Sequence, residues 1–209
     1  ASTSITLRSS PFSDPNHDLH RASIWQIATE ADFAAPLIDS GTDFENRASF
    51  PVPAREMHAG YTYYWRVRHI DGMNAPSPWS ETTYFTTRAP IVFHVPEEFS
   101  NVQAAVDEAF PGDEVVVSPG RYQGQISLSS RNITLRSMNP EDWQTVAETI
   151  LDGHGTGPVV VFAGSESARC RLEGFTITGG VTKYGNGGGI RGNGTHATIR
   201  RNVVENNVA

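Results

Sequence analysis

The sequence predicts an all-β chain of two successive units, a turn-rich antiparallel unit followed by a coil of short repeating strands. Three observations predict it. Gly and Pro supply 32 of the 209 residues, about 15%, which suits a turn-rich β protein better than a helical one. Residues 1–88 hold strand-like runs separated by turn residues. Residues 170–180 and 197–207 align on each other with an offset of 27, a period typical of solenoids.

In the first unit the expected strands are Ile5–Arg8, Ser23–Thr29, Arg47–Val52, Thr62–His69 and Glu81–Thr87. Asp14-Pro15-Asn16 and Asp71-Gly72 read as turns between them. The run from Tyr61 to His69 alternates. Tyr63, Trp65 and Val67 are expected in the core with Trp25 and Ile27, because alternate strand residues face opposite sides. Tyr64, Arg66 and Arg68 then face water, with Trp79 expected over Arg66 or Arg68 in a cation–π contact. Met57, Gly60 and Tyr63 have the spacing of a turn whose Tyr folds back to bond the backbone.

The segments MHAGYTYYWRVRHIDG, PWSETTYFTT and RASIWQIAT resemble the last two strands and the middle strand of a fibronectin type III domain. The resemblance covers about residues 4–88 and implies a fibronectin type III-like β-sandwich over 1–88. It begins at what should be the second strand, so a missing or very short first strand, and a cut N-terminus, are expected. Thr87-Arg88-Ala89-Pro90 reads as a short linker.

In the second unit the aligned repeats place Leu172 on Ile199, Gly174 on Arg201, Thr176 on Val203, Ile177 on Val204 and Gly179 on Asn206. Apolar residues coincide where the inside of a coil would lie, and Gly and Asn accept the left-handed conformations of its turns. Ile126–Leu128, Ile133–Leu135, Thr149–Leu151 and Val159–Phe162 fit the same style. Asn101–Phe110 is the one strong helical pattern, with Val102, Ala105, Val106 and Ala109 on one face. That helix, followed by PGDEVVVSPGRY, ILDGHGTG, LEGFTITGG and GNGGGI, closely resembles the opening of right-handed parallel β-helix proteins of the pectin-lyase-like superfamily.

The resemblance covers residues 91–209 and implies a short right-handed parallel β-helix with an N-terminal capping helix and roughly three to four coils. At about 4.8 Å per coil the stack rises about 15–20 Å, room for very few sugar units. Val208-Ala209 follows a repeat directly, so continuation beyond residue 209 or stacking on another chain is expected, with self-association through the open final coil.

Composition excludes several roles. The formal charge is −7, from 23 acidic and 16 basic residues, which argues against a nucleic-acid partner. Apolar runs reach only a few residues, as at Val159–Ala163, so no membrane insertion is expected. No basic-led apolar leader opens the sequence, so no signal peptide is expected within it. Cys170 stands alone and cannot form an intrachain disulfide. The seven His residues show no i, i+4 pair, so no His metal site is expected. No cofactor is expected, although the superfamily leaves calcium open.

Candidate catalytic residues are Lys183, Tyr184, Arg191 and Asp152. Lys183, the sole lysine, or Tyr184 would remove the proton α to a uronate carboxyl while Arg191 steadies the carboxylate. Their ordinary alternative is a solvent loop, which the sequence favours. Asp152-Gly153-His154 reads first as a tight turn with Asp bonding its own backbone. No second carboxylate stands one coil away, as a hydrolase would need. Trp143 and Tyr122 are candidates for stacking on sugar rings, and Trp143, Tyr184 and Arg136 for carbohydrate binding; the ordinary alternatives are a loop residue packed over the side of the coil for Trp143 and cap packing for Tyr122. Asn132 and Asn193 head glycosylation-type triplets but read as turn residues of a coil.

Three functions compete. The first is a secreted or cell-surface carbohydrate-associated protein whose chain binds or presents polysaccharide. The second is a polysaccharide lyase or epimerase, which needs Lys183, Tyr184 or Arg191 to converge with Asp152 and Arg136. The third is a structural stalk or assembly module. Scattered titratable groups argue against the second; the sequence hardly separates the first from the third, and the first is taken as the reading, with polysaccharide as partner.

Overall fold

The computed structural model describes residues 5–53, 56–183 and 187–209. The chain divides into two units, residues 1–89 and 90–209. The first contains β1 (Thr6–Arg8), β2 (Ala22–Ala28), β3 (Ile38–Asp39), β4 (Ser49–Pro51), β5 (Thr62–Ile70) and β6 (Thr83–Thr86). β1 pairs with β4, and the larger antiparallel sheet runs β3-β2-β5-β6. Leu7, Trp25, Ile27, Val52, Met57, Tyr63 and Val67 fill the core of this sandwich. Trp25 is fully buried, and its indole Nε1–H is satisfied by the Asn46 carbonyl at 2.6 Å. A buried indole requires such a partner.

The tyrosine folds back as its spacing implies: the His58 N–H donates to the Tyr63 hydroxyl at 2.9 Å. Trp79 meets both expected cations. Arg66 lies 4.4 Å and Arg68 4.6 Å from its ring centroid, and Arg66 also covers Phe33 at 4.2 Å. Ser77 and Ser80 hold this segment on β5 through bonds to the His69 and Val67 N–H groups.

The second unit contains β7 (Val92–Val95), α1 (Val102–Glu108), β8 (Glu114–Val117), β9 (Gly120–Gln123), β10 (Ile126–Ser127), β11 (Thr134–Ser137), α2 (Trp143–Glu148), β12 (Thr149–Asp152), β13 (Val160–Val161), β14 (Arg171–Glu173), β15 (Thr176–Thr178), β16 (Ile190–Arg191), β17 (Thr198–Arg200) and β18 (Val203–Val204). Successive strands join three parallel sheets in turn. The first is β7-β8-β11-β14-β17, the second β9-β12-β15-β18 and the third β10-β13-β16. This is a three-sided parallel β-helix. Its first coil is covered by α1, whose Val102, Ala105 and Val106 are buried and whose Asn101 side chain accepts from the Ala104 N–H at 2.9 Å. Asn is a favoured cap because its oxygen satisfies an orphan N–H of the first turn.

The interior consists of side chains stacked in register. Val115, Leu135 and Leu172 form one column and are fully buried; Leu151 and Ile177 form a second; Ile126 and Val160 belong to a third. Each buried Leu or Ile contributes about 1.5–3 kcal/mol relative to exposure. The offset of 27 appears in the last rung, where Leu172 pairs with Ile199 and Ile177 with Val204. Gly174 and Arg201 share the left-handed conformation, with φ of 79° and 56°. Gly179 and Asn206 do so at 70° and 53°. Earlier coils differ in length because their corners carry different loads. Val115 pairs with Leu135, 20 residues on, whereas Leu135 pairs with Leu172, 37 residues on. The longer coil contains α2, a helix absent from the sequence reading. Asp142 starts it by accepting from the Gln144 and Thr145 N–H groups. In the last rung Ile199 and Val204 are 42% and 52% exposed.

Candidate functional site

Outward residues on the three sheets meet different fates. On the first sheet, Arg136 is paired with Glu114 and also donates to the Ser137 and Met138 carbonyls at 3.0 and 2.9 Å. One coil on, Glu173 pairs with Arg200 at 2.9 Å, and Arg201 reaches Glu141 at 2.8 Å. Neighbouring rungs therefore neutralise one another, and Arg136 is committed to the protein.

On the second sheet, Asp152 ends β12. Its Oδ1 accepts from the His154 N–H at 2.9 Å and its Oδ2 pairs with Arg121 at 2.5 Å. The backbone bond from His154, followed by Arg121, holds this carboxyl below the usual carboxylate range. Such a group stays ionised and shapes the turn, where His154 adopts φ 49°. A general acid needs the opposite shift.

The third sheet carries Arg191, on β16. Its guanidinium has no ion-pair partner among the described residues, and the residue is exposed. Beside it lies a cleft of about 550 Å³ lined by Val161, Phe162, Ala163, Gly187, Ile190, Arg191, Gly192 and Asn193. Phe162 belongs to the buried coil core, so the cleft presents the aliphatic side chains of Val161, Ala163 and Ile190 beside the Arg191 cation and the Asn193 amide. Arg136, Asp152 and Arg191 thus stand on three different sheets, and the structure does not bring them together. Lys183 is exposed in the turn after Val181, and Tyr184 lies outside the described residues. Trp143 is 63% exposed at the start of α2. Tyr122 packs against the coil core and donates to the Ser118 carbonyl at 2.9 Å. Asn132 accepts from the Ser167 N–H and hydroxyl across a coil, at 2.8 and 2.9 Å.

One residue beside the cleft gave no sequence signal. Glu166 is 1% exposed, and its carboxylate accepts from the N–H groups of Ser130 (3.0 Å), Ala163 (2.7 Å) and Gly164 (2.9 Å). Burial alone would raise its pKa, but these bonds outweigh it and the value is lowered. Glu166 therefore fixes the turn that borders the cleft. Burial, with help from the Glu166 charge, pushes the Cys170 thiol up to about 12. That thiol is an inert packing group, not a nucleophile.

Among the described residues one acidic group has ligand atoms close together. Asp14, Asp18 and Asp71, at the turns beside β2 and β5, place carboxylate oxygens within 4.8 Å of one another. An all-carboxylate set is chemically of the hard-cation type. Asp14 accepts from the Asn16 and Asp18 N–H groups, and Asp71 from those of Met73 and Ala75. Backbone donors thus offset part of the mutual repulsion.

Residues 16–89 match a family model described as the Rha78A-like, N-terminal immunoglobulin domain. No curated protein matches the chain. Solved structures similar to it include a family 28 exopolygalacturonase from Yersinia enterocolitica, at 17% identity and a TM-score of 0.30 over 85% of this chain. The chain spans 38% of that enzyme's length. Pectate lyase Pel3 from Pectobacterium carotovorum is similar at 11% identity and a TM-score of 0.30, covering 86% of this chain and 67% of that one. Pectate lyase PelI from Erwinia chrysanthemi, in complex with tetragalacturonic acid, is similar at 12% identity and 0.28, covering 99% and 78%. The parallel β-helix itself rests on the register of its strands.

Proposed function

We propose that this chain is a carbohydrate-associated module that binds or presents an acidic polysaccharide without cleaving it. The observation that supports the reading is the cleft over the third sheet, where Arg191, without an ion-pair partner among the described residues, stands beside Val161, Ile190 and Asn193. Arg matches a carboxylate with a planar pair of donors, while wall atoms cover the apolar face of a sugar. Of the groups that β-elimination would use, Arg136, Asp152 and Arg191 stand on three different sheets. Asp152 and Arg136 are already bound to Arg121 and Glu114. The resemblance of residues 91–209 to pectin-lyase-like sequences makes a uronate polymer the expected partner. A secreted or cell-surface location follows from the same reading; no helix of the described residues is long and apolar enough to cross a membrane.

The test is incubation of the chain with uronate-containing and neutral polysaccharides, with and without calcium. Retention and ultraviolet absorbance are followed together. The proposal expects retention on the uronate polymers and no rise in absorbance. A rise that disappears in Lys183→Ala would identify a lyase and overturn it.

A further inference from the structure

Three donor atoms of the first unit converge. Ser23 on β2 stands opposite His69 on β5, and His20 precedes β2. His20 Nε2 and Ser23 Oγ are 3.1 Å apart, Ser23 Oγ and His69 Nδ1 3.0 Å, and the two ring nitrogens 3.0 Å. The Ser23 hydroxyl donates its hydrogen to the Arg47 carbonyl at 2.5 Å, so its lone pairs face the imidazoles. The rings are held before any ligand arrives. Phe12 stacks on His20 at 4.6 Å and meets His69 edge-on at 5.7 Å, and the two imidazoles are nearly perpendicular.

The geometry points to a binding site for a divalent transition-metal ion, Cu²⁺ or Ni²⁺ in class, held by His20 Nε2 and His69 Nδ1 with Ser23 Oγ as a weaker third ligand. At a metal–nitrogen distance of about 2.1 Å, donors 3.0 Å apart subtend about 90° at the ion. That is the cis angle of square-planar or octahedral coordination, which suits Cu²⁺ and Ni²⁺. A tetrahedral ion such as Zn²⁺ would need about 3.4 Å between donors. Nitrogen donors also exclude Ca²⁺ and Mg²⁺, which take oxygen.

Burial, then the neighbouring His69 charge, lowers the His20 pKa, and burial lowers that of His69 against a Ser10 carbonyl that raises it. Burial thus favours the neutral form of both rings, whose lone pairs a metal can take. Without metal, one proton between the two nitrogens completes the network, so proton and metal compete for the same place. The Arg47 guanidinium, 2.9 Å from the His20 carbonyl, opposes a cation and keeps the affinity modest.

The experiment is titration of the whole chain with Ni²⁺ at pH 7.5, followed by calorimetry and by paramagnetic broadening of assigned side-chain resonances. One equivalent is expected to bind, with broadening centred on His20, His69 and Phe12. His20→Gln and His69→Gln should each weaken binding by at least about tenfold, the scale for losing one determinant of a metal site. His94→Gln should leave it unchanged. If a variant fails to fold, the broadening pattern of the unaltered chain decides. Absence of binding, broadening centred on other residues, or affinity unchanged in both Gln variants overturns the proposal.

Discussion

Replacing Glu166 by glutamine tests whether one buried carboxylate holds the turn beside the cleft. In the structure Oε1 accepts from Ser130 and Ala163 and Oε2 from Gly164. A glutamine keeps one oxygen for two of these donors. Its amide nitrogen then faces the Gly164 N–H, donor against donor. A hydrogen bond to a charged group contributes about 1.5–3 kcal/mol, and a buried unsatisfied donor costs about 1–3 kcal/mol. The amide is cheaper to desolvate than a carboxylate, which offsets part of this. The expected net loss is about 2–3 kcal/mol. Urea unfolding of this unit can be followed through the methyl resonances of its buried Leu135, Leu151 and Leu172. The midpoint should fall with an unchanged slope, because the surface exposed on unfolding is the same. The sign of the pH effect also follows. The folded pKa of Glu166 is lowered, so its contribution is present above the unfolded value, about 4.3, and disappears as pH falls through the folded value. The stability gap between the unaltered chain and the Glu166→Gln variant should be full at pH 7 and shrink in acid. Equal midpoints at pH 7, or a gap unchanged through the acid range, would refute the reasoning.

Three further outcomes are expected. Gly180→Ala would drive a Cβ into the Gly188 carbonyl oxygen, so the stacked corner must separate. The coil unit should lose about 3 kcal/mol or more, read as a lowered denaturation midpoint. Trp79→Ala removes two cation–π contacts from the first unit and should cost about 1–2 kcal/mol in a denaturant titration. Tyr63→Phe leaves the His58 N–H without the phenolic acceptor and should cost about 1 kcal/mol by the same assay, with the near-ultraviolet circular dichroism retained.

Much of the architecture was legible because a solenoid writes its interior into spacing. Leu172 over Ile199 and Ile177 over Val204 were visible as aligned apolar residues, and the matched left-handed corners were visible as Gly and Asn. The exception is Arg201, which adopts φ 56° without being a residue that favours it. Asn101 and the apolar face after it announced α1, and the alternation through Tyr63 announced β5. The helix α2 escaped because six residues hold less than two turns, too few to show a period. Unequal coils escaped for a related reason: insertions at corners shift the spacing without changing the rung.

The sites were less legible because they depend on contacts between distant residues. Glu166 lies between serines and reads as a surface loop, yet its partners include Ser130, 36 residues away. Arg136 looked available for a ligand until Glu114, one coil back, occupied it. His20 and His69 escape a rule based on helical spacing because their meeting depends on the register of β2 and β5. Asp14, Asp18 and Asp71 come together in the same way, from turns far apart in sequence.

The central claim is that Arg191 and the cleft beside it receive an acidic glycan. Its most direct test is a calorimetric titration of the whole chain and of Arg191→Ala with the same oligogalacturonate, at one salt concentration. Loss of one charge-assisted contact at an exposed site predicts affinity weaker by about tenfold, equivalent to about 1.4 kcal/mol, and unaltered thermal unfolding. Equal affinity in the two proteins, or no binding by either, would contradict the account.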